Sequence, residues 1–166
     1  MMRSREQFIR EQGFGDATAE PSLYNALMFQ PRTVGALFLI GAAMQSGWLF
    51  AALSAVLWWS AVVPAHNPFD AVYNAVVARL VGVTRLASGT APRRFAAGLS
   101  GSLALAIAGA LTIDLRWTAW VLEVVFGAGI GAIVFTRFCA GALLYRAVAA
   151  RRAGVHMVAR QPGKRA

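Results

Sequence analysis

The sequence is poor in charge. Of its 166 residues only 14% are charged, where a soluble domain carries about 25%. That leaves too few groups to cover a water-facing surface around so small a core. Acidic residues are scarcest, 7 against 16 basic ones, for a net charge of +9. Cys139 is the single cysteine, which excludes an internal disulfide and a multi-cysteine metal site and says nothing about compartment. The two histidines, His66 and His156, are far apart in loop-like segments. No HxxxH pair, CxxC, glycine loop followed by Lys-Ser/Thr, or nucleophile elbow occurs, so neither a catalytic set nor a metal site is expected. The Gly127, Gly129, Gly131 run lies inside an apolar helix and is no phosphate loop. The first 30 residues are mixed polar with no apolar core behind the start, and no signal peptide is expected.

What the sequence does have is long uncharged runs. Thr33 to Ala65 carries no charged residue, nor does Phe95 to Ile113, and Trp117 to Phe135 carries one, Glu123. A spanning helix needs roughly 20 mostly apolar residues. Three such runs in so short a chain point to an all-α, membrane-embedded bundle of about four spans, at about 32–45, 48–63, 95–113 and 117–137. The 32-residue stretch from Thr33 to Pro64 is too long for one untilted span and short for two. A turn at Gln45-Ser46-Gly47 would make it a hairpin; a single tilted helix is the alternative. Arginines before and after it, if both are cytosolic, require an even number of crossings between them. The same bias accounts for the basic charge, so no nucleic acid is expected as partner. Residues 1–31 read as a cytoplasmic or interfacial arm, with Pro31 opening the first span. The 66–92 segment, with Phe69, Val72, Tyr73, Val76, Val77 and Leu80 at helical spacing, reads as an amphipathic surface helix, with Asn67 or Asp70 capping it. Residues 32–150 then form the membrane domain and 151–166 a basic tail. The fourth helix is expected to run on past the membrane towards Arg152. Trp48, Trp58 and Trp59 suit interfacial anchors.

Candidate functional groups are few. Glu123 and Arg137 are 14 residues apart, roughly 21 Å along a continuous helix and on one face of it. A carboxylate inside a membrane is costly and therefore a functional hypothesis, unless both side chains reach water at opposite faces. Cys139, two residues beyond Arg137, would be made more reactive by a nearby cation or be an inert packed residue. Small residues at Ala97, Gly98, Gly101 and Ser102, and at Gly127 and Gly131, have the spacing that lets helices approach closely.

The stretches FIREQGF, LMFQPRTVG, LWWSAVVPAHNPFDAVYN, PRRFAAGLSGSLALAI and FTRFCAGALLYR together resemble the uncharacterised bacterial membrane-protein family known as domain of unknown function 4395. The resemblance runs from Phe8 to Tyr145. It implies a multi-pass protein of the bacterial cytoplasmic (inner) membrane, and no reaction or cofactor. It also implies a second cysteine shortly after Cys139; here Ala142 stands in that place, which removes a two-thiol mechanism. With small-residue faces plentiful, the expected role is a non-catalytic accessory or assembly subunit, in contact with the lipid bilayer and other membrane-protein subunits, both termini cytoplasmic. A thiol or sulfur-redox helper using Cys139 with a partner thiol, and a proton-coupled carrier using Glu123, are the alternatives.

Overall fold

A computed structural model describes residues 4–14, 21–81, 83, 85–86 and 88–159, with backbone only at 81 and 152–159. The arm's Arg3 and Gly15 and the side chains of the basic tail from Arg152 lie outside this description. Among the described residues the chain is helical throughout, without a strand: α1 (Arg5–Glu11), α2 (Pro21–Met44), α3 (Gly47–Val62), a 3-10 turn (Pro64–His66), α4 (Pro68–Val72), a π turn (Tyr73–Val77), α5 (Ala78–Val81), α6 (Ala91–Thr112), α7 (Arg116–Gly131), a second π turn (Ala132–Thr136) and α8 (Ala140–Ala159).

Among the described residues three helical segments are long and apolar enough to cross a membrane: Pro21–Met44, Ala91–Thr112 and Arg116–Thr136. The apolar α3, with 16 residues, is shorter. Large apolar side chains cover the outside, among them Leu39, Met44, Trp48, Val62, Val121 and Val124. Water would disfavour such a surface, whereas lipid accepts it, and the helices accordingly fit a membrane protein.

Contacts at both ends give the helix directions. α2 and α3 run antiparallel: the Phe38 and Phe50 rings sit 6.1 Å apart near the turn, and Asn67, just past α3, donates to Gln30 at the far end. α6 returns along α3, with Ser54 Oγ donating to the Gly101 carbonyl at 2.8 Å and Arg94 Nε to the Ala61 carbonyl at 2.9 Å. α7 lies against α2 through reciprocal large and small residues: Phe38 fills the space beside Gly127, and Ile130 that beside Gly35. α8 lies on the start of α6, where Gly141 meets Ala96 and the Phe95 and Tyr145 rings are 5.9 Å apart.

The bundle therefore has two poles. Gln45–Gly47 and Asp114–Arg116 form a hairpin pole. The other holds α1, residues 64–81 and 88–90 and the start of α8, and with them Arg5, Arg10, Arg79, Arg85, Arg93, Arg94, Arg137 and Arg146. One apolar core (Val34, Phe38, Phe50, Leu53, Leu57, Ile107, Phe126) fills the middle. A second (Phe8, Ile9, Tyr24, Leu27, Met28, Tyr73, Leu86) fills the arginine pole.

Several local expectations change. Pro31 does not open a helix but lies inside α2, which begins at Pro21. Proline cannot donate to the Leu27 carbonyl, yet the helix holds because Tyr24, Leu27 and Met28 are buried beneath the arm and the 68–81 segment. In the 68–81 segment the apolar positions divide between the bundle interior and the outside. Phe69 and Tyr73 point inward, while Val72, Val76 and Leu80 are exposed. Nor does the last long helix run on towards Arg152. The π turn Ala132–Thr136 leads into Arg137, whose backbone is left-handed at φ 61°, and α8 starts afresh at Ala140.

Candidate functional site

The polar groups of the arginine pole converge from four helices. Asn67 caps α4: its Oδ1 accepts from Phe69 N at 3.0 Å. That leaves Asp70, one turn on, unused as a cap. Its carboxylate instead accepts from Arg93 Nη2 at 2.8 Å and Nη1 at 3.4 Å, and both residues are buried. Arg93 Nη2 also donates to Gln30 Oε1 at 3.2 Å, which accepts from Asn67 Nδ2 as well. Ser60 Oγ stands 2.9 Å from the Val56 carbonyl and 3.1 Å from Asn67 Oδ1, with one proton to serve either. A charge pair taken out of water this far survives only where its remaining valences are met. Gln30 helps to meet them.

Beside this cluster lies a pocket of about 280 Å³ between α2, α6 and α7, bounded at the arginine pole by α1 and the start of α8 and open to the outside beside the exposed Leu99 and Val125. Its walls are mostly apolar, including Leu103, Phe126 and Ile130. Its polar lining consists of Gln12, Gln30, Arg93, Ser100 and Cys139. Cys139, 6% exposed, carries a free thiol. Ala142, three residues on, is fully buried. Gln12 is 4% exposed, and its enclosed Nε2 meets no hydrogen-bond partner among the described residues. Its backbone carbonyl accepts from Thr90 Oγ1, which ties the arm to the start of α6.

Glu123 is at the opposite pole. It is buried, and both carboxylate oxygens accept from Gln45 Nε2 at 3.0 Å. Gln45, at φ 46°, also accepts from Trp120 Nε1 at 3.2 Å. Arg137 is far from Glu123, across the bundle. Its Nε donates to Tyr24 Oη at 3.3 Å and its guanidinium lies 5.5 Å from the Tyr24 ring centre. The π turn and the left-handed Arg137 break the helical register from which a shared face was expected. The structure thus brings Cys139 and Arg93 to one pole and leaves Glu123 at the other.

The small residues serve varied ends. Ala97 is buried, and Gly101 admits Trp58 and Leu57 of α3. Gly98 lies against Ala61, whereas Ser102 is exposed and donates to the Gly98 carbonyl. Gly127 receives Phe38, while Gly131 meets only Phe135 of the π turn that follows. Among the described residues no group of three or more His, Cys, Asp or Glu is placed to hold a metal.

Gln12, Gln30 and Asp70 were not singled out as site residues in the sequence. A signal was present: each of the five stretches carrying the family resemblance contributes a residue to this pole, namely Gln12, Gln30, Asn67 with Asp70, Arg93, and Cys139.

A family model described as Domain of unknown function (DUF4395) matches residues 25–150. No curated protein and no solved structure matches the chain.

Proposed function

This chain belongs to the DUF4395 family, and since the family brings no reaction with it, we propose a function from the chain's own geometry: a small multi-pass membrane protein that holds a small apolar molecule in the cavity between α2, α6 and α7. The observation that carries this reading is the cavity itself. It combines apolar walls with polar atoms gathered at one end, the usual make-up of a small-molecule site, and its volume of about 280 Å³ suits a compact ligand. The arginine pole lies in the cytosol by the positive-inside bias, so that α1 and α8, and both termini with them, are cytoplasmic. In a bacterium the membrane is the cytoplasmic one. The burial of Cys139 turns its thiol towards a cavity ligand rather than another protein's thiol. The carrier reading loses support, because Gln45 already holds the Glu123 carboxylate in place.

Binding of the neutral fluorophore 1-aminoanthracene to the full chain in detergent micelles tests this reading. We expect saturable binding near one per chain, lost in Ser100→Trp, whose indole fills the space. Equal signal from the wild type and Ser100→Trp would reduce the cavity to a packing defect.

The accessory-subunit reading rests on a different surface. The span Arg116–Thr136 is 17% buried, less than either of the other two, and Val121 and Val124 face outward. A stoichiometric companion recovered in mild detergent supports that role, and a lone monomer removes it.

A further inference from the structure

We infer that the pocket between α2, α6 and α7 takes one acyl chain of a phospholipid from the leaflet at the arginine pole. The chain enters sideways through a slot at Leu99, Val125, Gly129 and Ala140, and its anionic head stays outside among the arginines. The inference rests on the pocket being a binding site, as proposed above, and names its occupant and its entrance.

The exposed members of the lining draw the slot. Leu99, Val125, Gly129 and Ala140 all line the pocket, and all are exposed. A Cβ built at Gly129 would meet nothing within 4 Å, so the space in front of it is open. Leu99 lies about 12 Å along α6 from its arginine-pole end at Ala91. Val125 lies about 14 Å along α7 from its hairpin-pole end at Arg116. Both depths fall inside a hydrocarbon layer of about 30 Å, so the slot opens there to lipid and not to water. Gly129 stands one turn nearer the arginine pole, and Ala140, where α8 begins, is at the pole itself. The slot therefore runs from mid-layer to interface, the attitude of a lipid chain hanging from its head.

Size and charge fix what enters. A volume of about 280 Å³ is at the small end of ligand sites, about 300–1,000 Å³, which gives room for one chain and not for two. Leu103, Phe126, Ile130 and Ile133 make the wall apolar, as a hydrocarbon requires. Arg93, the charged residue in the lining, is taken by Asp70 at 2.8 Å and Gln30 at 3.2 Å, so no cation is left inside for a charged head. Outside, Arg94 and Arg146 are exposed and donate to the carbonyls of Ala61 and Arg10. A carbonyl leaves a guanidinium its full charge, and a lipid phosphate complements it. On the water side α1 blocks entry. Phe8 lines the pocket and is buried, and the arm is tied down by the Thr90 hydroxyl on the Gln12 carbonyl.

The full chain in micelles is irradiated with phosphatidylglycerol that carries a diazirine midway along one acyl chain, and the adducts are mapped by peptide mass spectrometry. We expect them concentrated between Ala96 and Leu103 and between Val125 and Ile133, well above those at the exposed Leu39 and Ile40 of α2. Gly129→Leu, which fills the slot, should bring them down to that background, with Ser100→Trp as a second variant. Gly109→Leu, at a glycine equally open but outside the pocket, should leave them unchanged. Unlabelled phosphatidylglycerol should displace the probe at about 5-fold lower concentration than phosphatidylcholine, the worth of one arginine near the membrane surface. Arg94→Gln with Arg146→Gln should remove that margin. Adducts spread evenly over the lipid-facing helices, slot adducts that survive both fillings, or an equal fall in Gly109→Leu would overturn the inference. So would equal displacement by the two lipids, or stronger displacement by oleate, which would make a free fatty acid the occupant. In each case saturable binding of 1-aminoanthracene, lost in Ser100→Trp, would leave the pocket reading standing, and its absence would remove that reading as well.

Discussion

Arg93 and Asp70 face each other across 23 residues of chain, and each would be an orphan charge without the other. Arg93→Ala or Asp70→Ala should lower stability by about 3–5 kcal/mol, because the partner left behind stays buried and unpaired. Replacing both at once, with Met and Leu, should cost much less. Thermal unfolding of the purified protein in one detergent checks the difference. Glu123 obeys the opposite logic, since its contact is to an amide. Glu123→Gln keeps an acceptor for Gln45 and should cost no more than about 1 kcal/mol, whereas Gln45→Leu strands a buried carboxylate and should cost about 1–3 kcal/mol or more. If Glu123→Gln instead abolishes function in a folded protein, the carboxylate has a task beyond holding the turn. The sequence shows why Asp70 is easy to misread. Asn67 and Asp70 both suit a helix start, and only the folded chain reveals that Asn67 takes that role and frees Asp70 for a residue on another helix.

Among the described glycines, the closest approach between helices is at Gly141. A Cβ built there would stand 2.7 Å from the Ala96 Cβ and 2.9 Å from its Cα. Backbone cannot yield as a side-chain tip does, so Gly141→Ala should push α8 off α6 and cost about 1–3 kcal/mol. Gly109→Ala provides the contrast. Nothing lies within 4 Å of its Cβ position, and the gain in helix propensity should leave stability equal or up to about 1 kcal/mol higher. Comparing the two melting curves separates a packing glycine from an idle one. At this scale much was legible. Charge-free runs located α6, α7 and the second half of α2, whose first eleven residues read as part of the arm, and Gln45-Ser46-Gly47 marked the break at which Ser46 Oγ accepts from Leu49 N to cap α3. What stayed hidden depends on neighbours distant in sequence. Pro31 reads as a breaker, but α2 is held together by packing around Tyr24 and Met28. The π turns and the left-handed Arg137 have no local signature, and they decide where Cys139 comes to lie. The cavity was equally unreadable, because it is a space between three helices rather than a property of any one.

Across the whole molecule, arginine gathers at one pole while the other, with Asp114, Arg116 and Glu123, is nearly balanced. In a background with Cys139→Ser, Ser88→Cys should react with an impermeant maleimide only from the cytosolic side and Ser46→Cys only from the opposite side. Labelling of both from one side would mean that α2 and α3 enter the membrane without crossing it. The length of α3 carries a consequence of its own. Sixteen residues extend about 24 Å, against a hydrocarbon layer of about 30 Å, while the adjoining α6 has 22 residues and reaches about 33 Å. Trp48, 88% exposed, stands at the short end, where an indole seeks the headgroups. If α3 crosses as a span of its own, lipid along this flank has to thin to match it, and reconstitution into bilayers of shorter acyl chains should then raise the melting temperature of the protein.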